Sequence, residues 1–224
     1  MTDLEAEKKL MLESHLRRRD ITDALVLEAF RTVPREDFVP PDMAEFAYED
    51  SPLPLNEGQT ISQPYIVALT AQALKLHGGE RVLEVGTGSG YAAAILARCA
   101  REVFTIERIA SLAASAEQRL RRLGFDNVTV RCGDGSLGWP EEAPFDAIAV
   151  AAGGPEAPPA LLAQLKIGGR LVIPIGSEAN QSLVRITRVG AGDYRTEPLL
   201  KVRFVPLIGE QGFDAAGARA RRAD

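Results

Sequence analysis

The chemistry begins with glycines and carboxylates. The segment Arg81-Val82-Leu83-Glu84-Val85-Gly86-Thr87-Gly88-Ser89-Gly90-Tyr91 runs from an apolar stretch into a helix-forming one through a glycine turn. Glycines there let the backbone approach a ligand without interference from a Cβ. Glu84 stands two residues before the first glycine, Glu107 follows it by 21, and Asp134 sits in Cys132-Gly133-Asp134-Gly135. Each ends or follows one of three successive apolar runs. A carboxylate at Glu107 can accept both hydroxyls of a ribose, and one at Asp134 can accept from an adenine amino group. Arg108 and Gly135, their chain neighbours, join Gly86 and Gly88 as expected cofactor contacts. Glu84 would oppose a phosphate but suits a ligand with a cationic end. A dinucleotide fingerprint wants glycine at its first, third and sixth positions, which here are Gly86, Gly88 and Tyr91. The bulk of Tyr91 opposes close packing on a pyrophosphate. S-adenosylmethionine carries an ammonium and a sulfonium and no phosphate, so the pattern favours it over NAD.

The acceptor is narrowed by what the chain lacks. Amino-methylating nucleic-acid enzymes place an Asp/Asn-Pro-Pro-aromatic loop after the fourth strand, where this chain has Ala151-Ala152-Gly153-Gly154-Pro155. Neither Cys99 nor Cys132 follows a proline, as a cytosine-attacking nucleophile would. Methylation of a hydroxyl asks for a base. His15 lies in a predicted N-terminal helix and His77 at the end of another, where the helix dipole accounts for it. A carboxylate acceptor is already ionised at neutral pH and needs no base. Catalysis then reduces to alignment and the exclusion of water.

These residues need a scaffold with their strand ends together. Helix-like spacing covers 3–19 and 22–32, and Pro34 stops the second helix. An irregular, proline-rich stretch follows from Val39 to Pro54, so 1–60 reads as a helical cap within the same domain. A helix over Pro64–Leu76 comes next, ending at Gly78-Gly79. Strands are predicted at Arg81–Val85, Glu102–Ile106, Val128–Arg131, Phe145–Val150 and Arg170–Pro174, separated by helices at Ala92–Cys99, Ser111–Leu123 and Ala160–Leu165. The alternation predicts an α/β fold, Rossmann-like and doubly wound, with a mostly parallel sheet covered by helices on both faces. Strand-like runs at Ser182–Val189 and Tyr194–Pro206 predict an antiparallel edge. The binding domain spans 61–213, and 214–224 reads as a disordered tail.

Composition removes other classes. A net charge of -5 over 224 residues argues against a nucleic-acid binder, and Arg17-Arg18-Arg19 sits among acids as a solvated helix face. No 18-residue apolar run spans a membrane and the charged N-terminus has no signal-peptide core, so a cytoplasmic protein is expected. Two cysteines and two histidines suggest no metal site, and both cysteines, in apolar surroundings, are expected to be buried thiols.

The segment Gly58-Gln59-Thr60-Ile61-Ser62-Gln63-Pro64-Tyr65-Ile66-Val67-Ala68 resembles the signature loop of the protein-L-isoaspartate O-methyltransferases. The glycine turn, Gly133-Asp134-Gly135, Phe145-Asp146-Ala147-Ile148 and Gln164–Pro174 are also similar to that family. Arg203-Phe204-Val205-Pro206-Leu207-Ile208-Gly209-Glu210-Gln211-Gly212 is similar to its closing segment, and the likeness runs from about residue 5 to 213. The resemblance implies S-adenosylmethionine-dependent methylation of the α-carboxyl of L-isoaspartyl residues in damaged proteins and peptides, with later collapse to a succinimide. It also implies that Ser62 is the active-site serine and that Thr60, Ile61 and Gln63 line its pocket as cofactor contacts. Val205, Pro206 and Leu207 are expected to meet the substrate by pairing with an extended chain. From spacing alone Ser62 reads as a helix N-cap before Pro64. Its hydroxyl is too weak a base to abstract a proton, so its expected role is positioning. The chain departs from the family at Ala151, where a threonine is expected. Two alternatives use the same features: a carboxyl methyltransferase of a dedicated peptide, and a non-catalytic S-adenosylmethionine-binding protein. Neither spacing nor resemblance sets the oligomeric state.

Overall fold

The computed structural model describes residues 3–177 and 179–214. The N-terminal helical region is less regular than its spacing suggests. Helix α1 covers Leu4–Leu10, a π-turn Met11–Leu16 and a 3-10 turn Arg17–Arg19, ending at Asp20 in the left-handed region with φ of 68°. Helix α2 (Ala24–Thr32) starts on an Asp23 cap whose carboxylate accepts from Leu25 N and Val26 N. The proline-rich stretch holds 3-10 turns at Arg35–Phe38 and Pro41–Phe46. A minimal antiparallel pair follows, β1 (Leu53–Pro54) with β2 (Thr60–Ile61).

Helix α3 (Pro64–Leu74) then opens the α/β region. In chain order come β3 (Arg81–Val85), α4 (Tyr91–Cys99), β4 (Glu102–Glu107), α5 (Ala110–Arg122), β5 (Val128–Cys132), β6 (Phe145–Val150), α6 (Pro159–Ala163), β7 (Leu165–Ser177), β8 (Asn180–Arg188) and β9 (Tyr194–Val202). The seven-stranded sheet has the order β5-β4-β3-β6-β7-β8-β9. Pairs from β5 through β7 are parallel, and β8 and β9 close the edge antiparallel.

Apolar residues on successive strand positions serve opposite faces. Val82 joins a core with Ala93 and Ile95 of α4, Leu74 of α3 and Leu120 of α5, and this core continues into Met11, Phe30 and Phe38 of the N-terminal region. Leu83 and Val85 join Phe104, Ile148 and Leu161 of α6 on the other face. That second face is thinner, covered by α6, 3-10 turns and the buried Leu207.

Several elements differ from expectation, α6 among them, which ends at Ala163 and not at Leu165. β7 is a 13-residue strand, not the short Arg170–Pro174, because the Gly168-Gly169 turn signal lies inside it, beside a register shift between Phe145 and Ala147. β9 stops at Val202, and the chain from Arg203 leaves the edge. Cys99 is buried but Cys132 is exposed, since the apolar run that suggested burial ends on the outermost strand. The expected tail lies outside the described residues from 215 onward.

Candidate active site

β3 pairs with β4 on one side and, after the chain crosses back from β5, with β6 on the other, so the strand order reverses at β3 and a crevice opens at the carboxyl ends. Gly86 and Ala151 face each other across it. A Cβ on Gly86 would stand 3.3 Å from that of Ala151, and its φ is +97°, so both the close approach and the backbone call for glycine. The cavity there is walled by Gly86–Ser89, Glu107, Arg108 and Gly135 on one side. Gln59–Ser62, Ala151, Ala152 and Val205–Ile208 close the other. Tyr91 carries the α4 side of the turn. It is buried, with Phe30 and Phe38 edge-on at ring-centroid distances of 5.9 and 5.5 Å.

Glu107 is held by the backbone. Its Oε2 accepts from Gly88 N at 3.0 Å and its Oε1 from Ile109 N at 3.0 Å. One side chain thus fixes the glycine turn and presents a carboxylate to the cavity. Arg108 lies exposed on the same wall.

Glu84 is placed differently from expectation: it lies behind the glycine turn and is not part of the cavity wall. Its period-2 position on β3 turns it into the α3–α4 face, opposite to Val85. Its Oε2 accepts from Thr105 Oγ1 at 2.6 Å, and the Thr105 hydroxyl is 2.6 Å from that of Thr87. Its Oε1 is buried without a partner. Burial, with nearby Glu107 acting in the same direction, pushes the carboxyl up to about 8 despite the opposing Thr105 bond. The folded protein therefore binds this proton more tightly than an unfolded chain, whose glutamate has a reference value of 4.5. Stability from protonated Glu84 is full below the unfolded value and is lost as pH rises through the folded one. We expect Tm of the ligand-free protein to decline between about pH 5 and 8, and Glu84→Gln to flatten that decline. Parallel melts across pH check it; identical slopes for the two proteins would contradict it.

Asp134 is engaged by its own turn and by the closing segment. Its Oδ1 accepts from Ser136 N and Oγ at 2.9 and 2.7 Å, capping the 3-10 turn Gly135–Leu137, and Oδ2 accepts from Glu210 N at 2.8 Å. Local capping competes with ligand contact for a short carboxylate, and the cavity wall at this point is Gly135.

The Ser62 loop enters from the opposite side. Thr60 and Ile61 of β2 and Ser62 all face the cavity. Ser62 is not the helix cap: Gln63 occupies that position without a side-chain bond, and Asp50 supplies the acceptor instead, with Oδ1 3.2 Å from Tyr65 N. Gln63 turns to the same aspartate, donating from Nε2 to Asp50 Oδ2 and O at 2.8 Å, so it lines only the neighbouring cleft. Arg19 completes the cluster through a 2.6 Å bond to Asp50 Oδ2, with its guanidinium stacked 3.6 Å from the Tyr65 ring centroid. The Ser62 hydroxyl has no hydrogen-bond partner among the described residues. Its carbonyl accepts from Nη2 of the fully buried Arg35 at 2.9 Å.

Val205–Leu207 forms the far wall, but its main chain is partly spent. Gly153 N donates to Val205 O and Leu207 N to Gly153 O, both at 2.8 Å. Only the Pro206 side of this segment is left for an incoming chain, and proline has no N–H to give. His15 and His77 lie off the cavity. His77 is beyond the end of α3, its N–H held by Glu80.

The charge pattern fits the expected methyl donor. Glu107 offers the cavity an anchored carboxylate beside the glycine turn. Sheet order, switch-point cavity and anchored carboxylate define an α/β methyltransferase with S-adenosylmethionine as cofactor. The family described as protein-L-isoaspartate(D-aspartate) O-methyltransferase matches residues 6–212, and the chain belongs to it. Among its relatives, protein-L-isoaspartate O-methyltransferase 1 of Rhodopseudomonas palustris (strain HaA2) is 57% identical, over 100% of this chain and 91% of that protein. Protein-L-isoaspartate O-methyltransferase 2 of Marinobacter nauticus is 57% identical over 94% of this chain and 97% of its own. A solved Plasmodium falciparum structure, described as a candidate member and holding S-adenosyl-L-homocysteine, has a TM-score of 0.75 at 30% identity, covering 89% and 97% of the two chains.

Proposed function

We propose that the cavity divides its work between two ends. Gly86, Gly88, Glu107, Arg108 and Gly135 hold the cofactor, while Thr60, Ile61, Ser62 and Val205–Leu207 receive the methyl acceptor. The reaction is methylation of the α-carboxyl of L-isoaspartyl residues, the first step of protein repair. Bound S-adenosylmethionine supplies an electrophilic methyl group. The acceptor is an ionised carboxylate, so the protein needs no proton acceptor and its residues serve to bind, orient and exclude water. Ser62 directs its unpartnered hydroxyl toward the acceptor carboxylate, and Glu84 and Asp134 support the walls from behind. Damaged proteins and peptides are the partners. We place the protein in the cytoplasm on the strength of two unpaired thiols. We also assign 1–60 and 61–213 to one domain, supported by the core that Phe30 and Phe38 share with Tyr91.

The observation that carries this reading is the convergence of the Ser62 loop and the glycine turn on one cavity. The test compares an isoaspartyl peptide with its aspartyl twin, following labelled methyl transfer in single turnovers with cofactor saturating. Transfer to the isoaspartyl peptide alone is expected, at rates nearly constant from about pH 6 to 8, well above the acceptor pKa. Equal transfer to the twins would overturn the substrate assignment. A steep rise with an apparent pKa near about 7 would point to a histidine base instead.

A further inference from the structure

Beside the cofactor cavity lies a second opening of about 1070 Å³, beyond the usual span for a small-molecule pocket (roughly 300–1,000 Å³) and suited to a length of peptide chain. It shares Thr60, Ser62, Ala151 and Val205–Pro206 with the cavity, so a chain lying in it passes the methyl-transfer end.

Its charge is one-sided. Arg19, Lys201 and Arg203 line it, and no carboxylate does so among the described residues. This is notable in a chain with net charge -5. The three cations are not equivalent. Arg19 is committed to Asp50 and stacked on Tyr65. Lys201 is exposed and touches only a neutral oxygen, Asn180 Oδ1 at 3.2 Å. Arg203 is exposed with no hydrogen bond or ion pair among the described residues. Lys201 lies next to the last residue of β9, and Arg203 begins the segment that leads to Val205, so the two cations, without an ion pair among the described residues, lie along the approach to Ser62.

Resting on the proposed acceptor end, we infer that this cleft selects isoaspartyl segments whose neighbouring residues are acidic, with Lys201 and Arg203 as the specificity-determining groups. Facing charges of opposite sign at an exposed rim raise association, and like charges oppose it. Each such pair is modest, so a few-fold effect is expected, screened by salt.

The test uses the full chain and three isoaspartyl peptides that differ only in two flanking residues: glutamate, glutamine or lysine. At low ionic strength kcat/KM should order as glutamate above glutamine above lysine, with about fivefold between the extremes. The spread should collapse near 0.5 M salt. Charge reversal in Lys201→Glu with Arg203→Glu should invert the order, and the neutralised pair Lys201→Gln with Arg203→Gln should flatten it. Each variant is referred to its own rate on the glutamine peptide, which cancels any change in folded fraction. A flat order in the wild-type protein, a preference for lysine, or a preference unmoved by salt would overturn the inference. If no peptide is methylated, the acceptor reading fails separately. Fluorescence anisotropy of the same labelled peptides, with S-adenosylhomocysteine present, then reads the charge order directly, and equal binding would overturn it.

Discussion

Glu107→Ala should weaken S-adenosylmethionine binding by about 10-fold to 100-fold, the equivalent of roughly 1.5–3 kcal/mol for a charge-assisted hydrogen bond. The side chain does two jobs at once. It offers the cavity a carboxylate, and it holds the N–H groups of Gly88 and Ile109 at 3.0 Å. Alanine removes both, so the glycine turn loses its anchor as well as its acceptor. Glu107→Gln keeps one acceptor oxygen and should lose less. Calorimetric titration with S-adenosylmethionine and with S-adenosylhomocysteine, its demethylated product without the sulfonium charge, separates two roles. Equal losses for both ligands would assign Glu107 to a group the two share, such as the ribose hydroxyls, and a loss confined to S-adenosylmethionine would assign it to pairing with the sulfonium. Wild-type affinity in Glu107→Ala would remove it from the binding site.

The central strands beside this residue were legible because buried parallel strands read as unbroken apolar runs. Arg81–Val85 and Phe145–Val150 appear with the expected bounds. The glycine turn was legible because its backbone admits few other residues, as the φ of +97° at Gly86 shows. What sequence could not show was which short polar side chains the backbone would claim first. Asp134 caps its own turn and binds Glu210 N, and Gln63 turns to Asp50. Asp50 itself carries no local signal, because it caps α3 from 15 residues away in chain order. The near-continuous apolar character of β3 also hid which face Glu84 would take, and that alternation decides whether a carboxyl meets ligand or core. Gly168-Gly169 reads as a turn in sequence, yet β7 runs through it, since pairing to β6 and β8 overrides local preference.

The least visible contributor is Arg35, and Arg35→Met is expected to show the largest combined loss of stability and rate. The side chain is fully buried and makes no ion pair among the described residues, although the Asp50 carboxylate lies near enough to favour its charge. Its Nε donates to Ala47 O at 2.7 Å and its Nη2 to Ser62 O at 2.9 Å. Its guanidinium carbon lies 4.6 Å from the Tyr91 ring centroid, while Nη1 and the Tyr91 hydroxyl make no hydrogen bond. Burial lowers its pKa, but an arginine stays charged in a protein. A lone buried cation is costly, so its bonds must hold something that methionine cannot. One fork ties the N-terminal region, the Ser62 loop and the residue that follows the glycine turn. Methionine fills similar space but orphans the buried Ala47 carbonyl, at about 1–3 kcal/mol, and the half-buried Ser62 carbonyl at less, which in a chain of this size lowers Tm by several degrees. Arg35→Lys keeps the charge yet reaches one carbonyl at most, so it should not restore full rate. Ser62→Ala is the contrast. Its hydroxyl has no partner among the described residues, so Tm should stay within about a degree while kcat falls and cofactor affinity holds. If Arg35 positions the Ser62 loop, kcat per folded molecule should fall in Arg35→Lys with the KM for S-adenosylmethionine nearly unchanged. A variant that melts early but turns over normally once folded would reduce Arg35 to a structural tie.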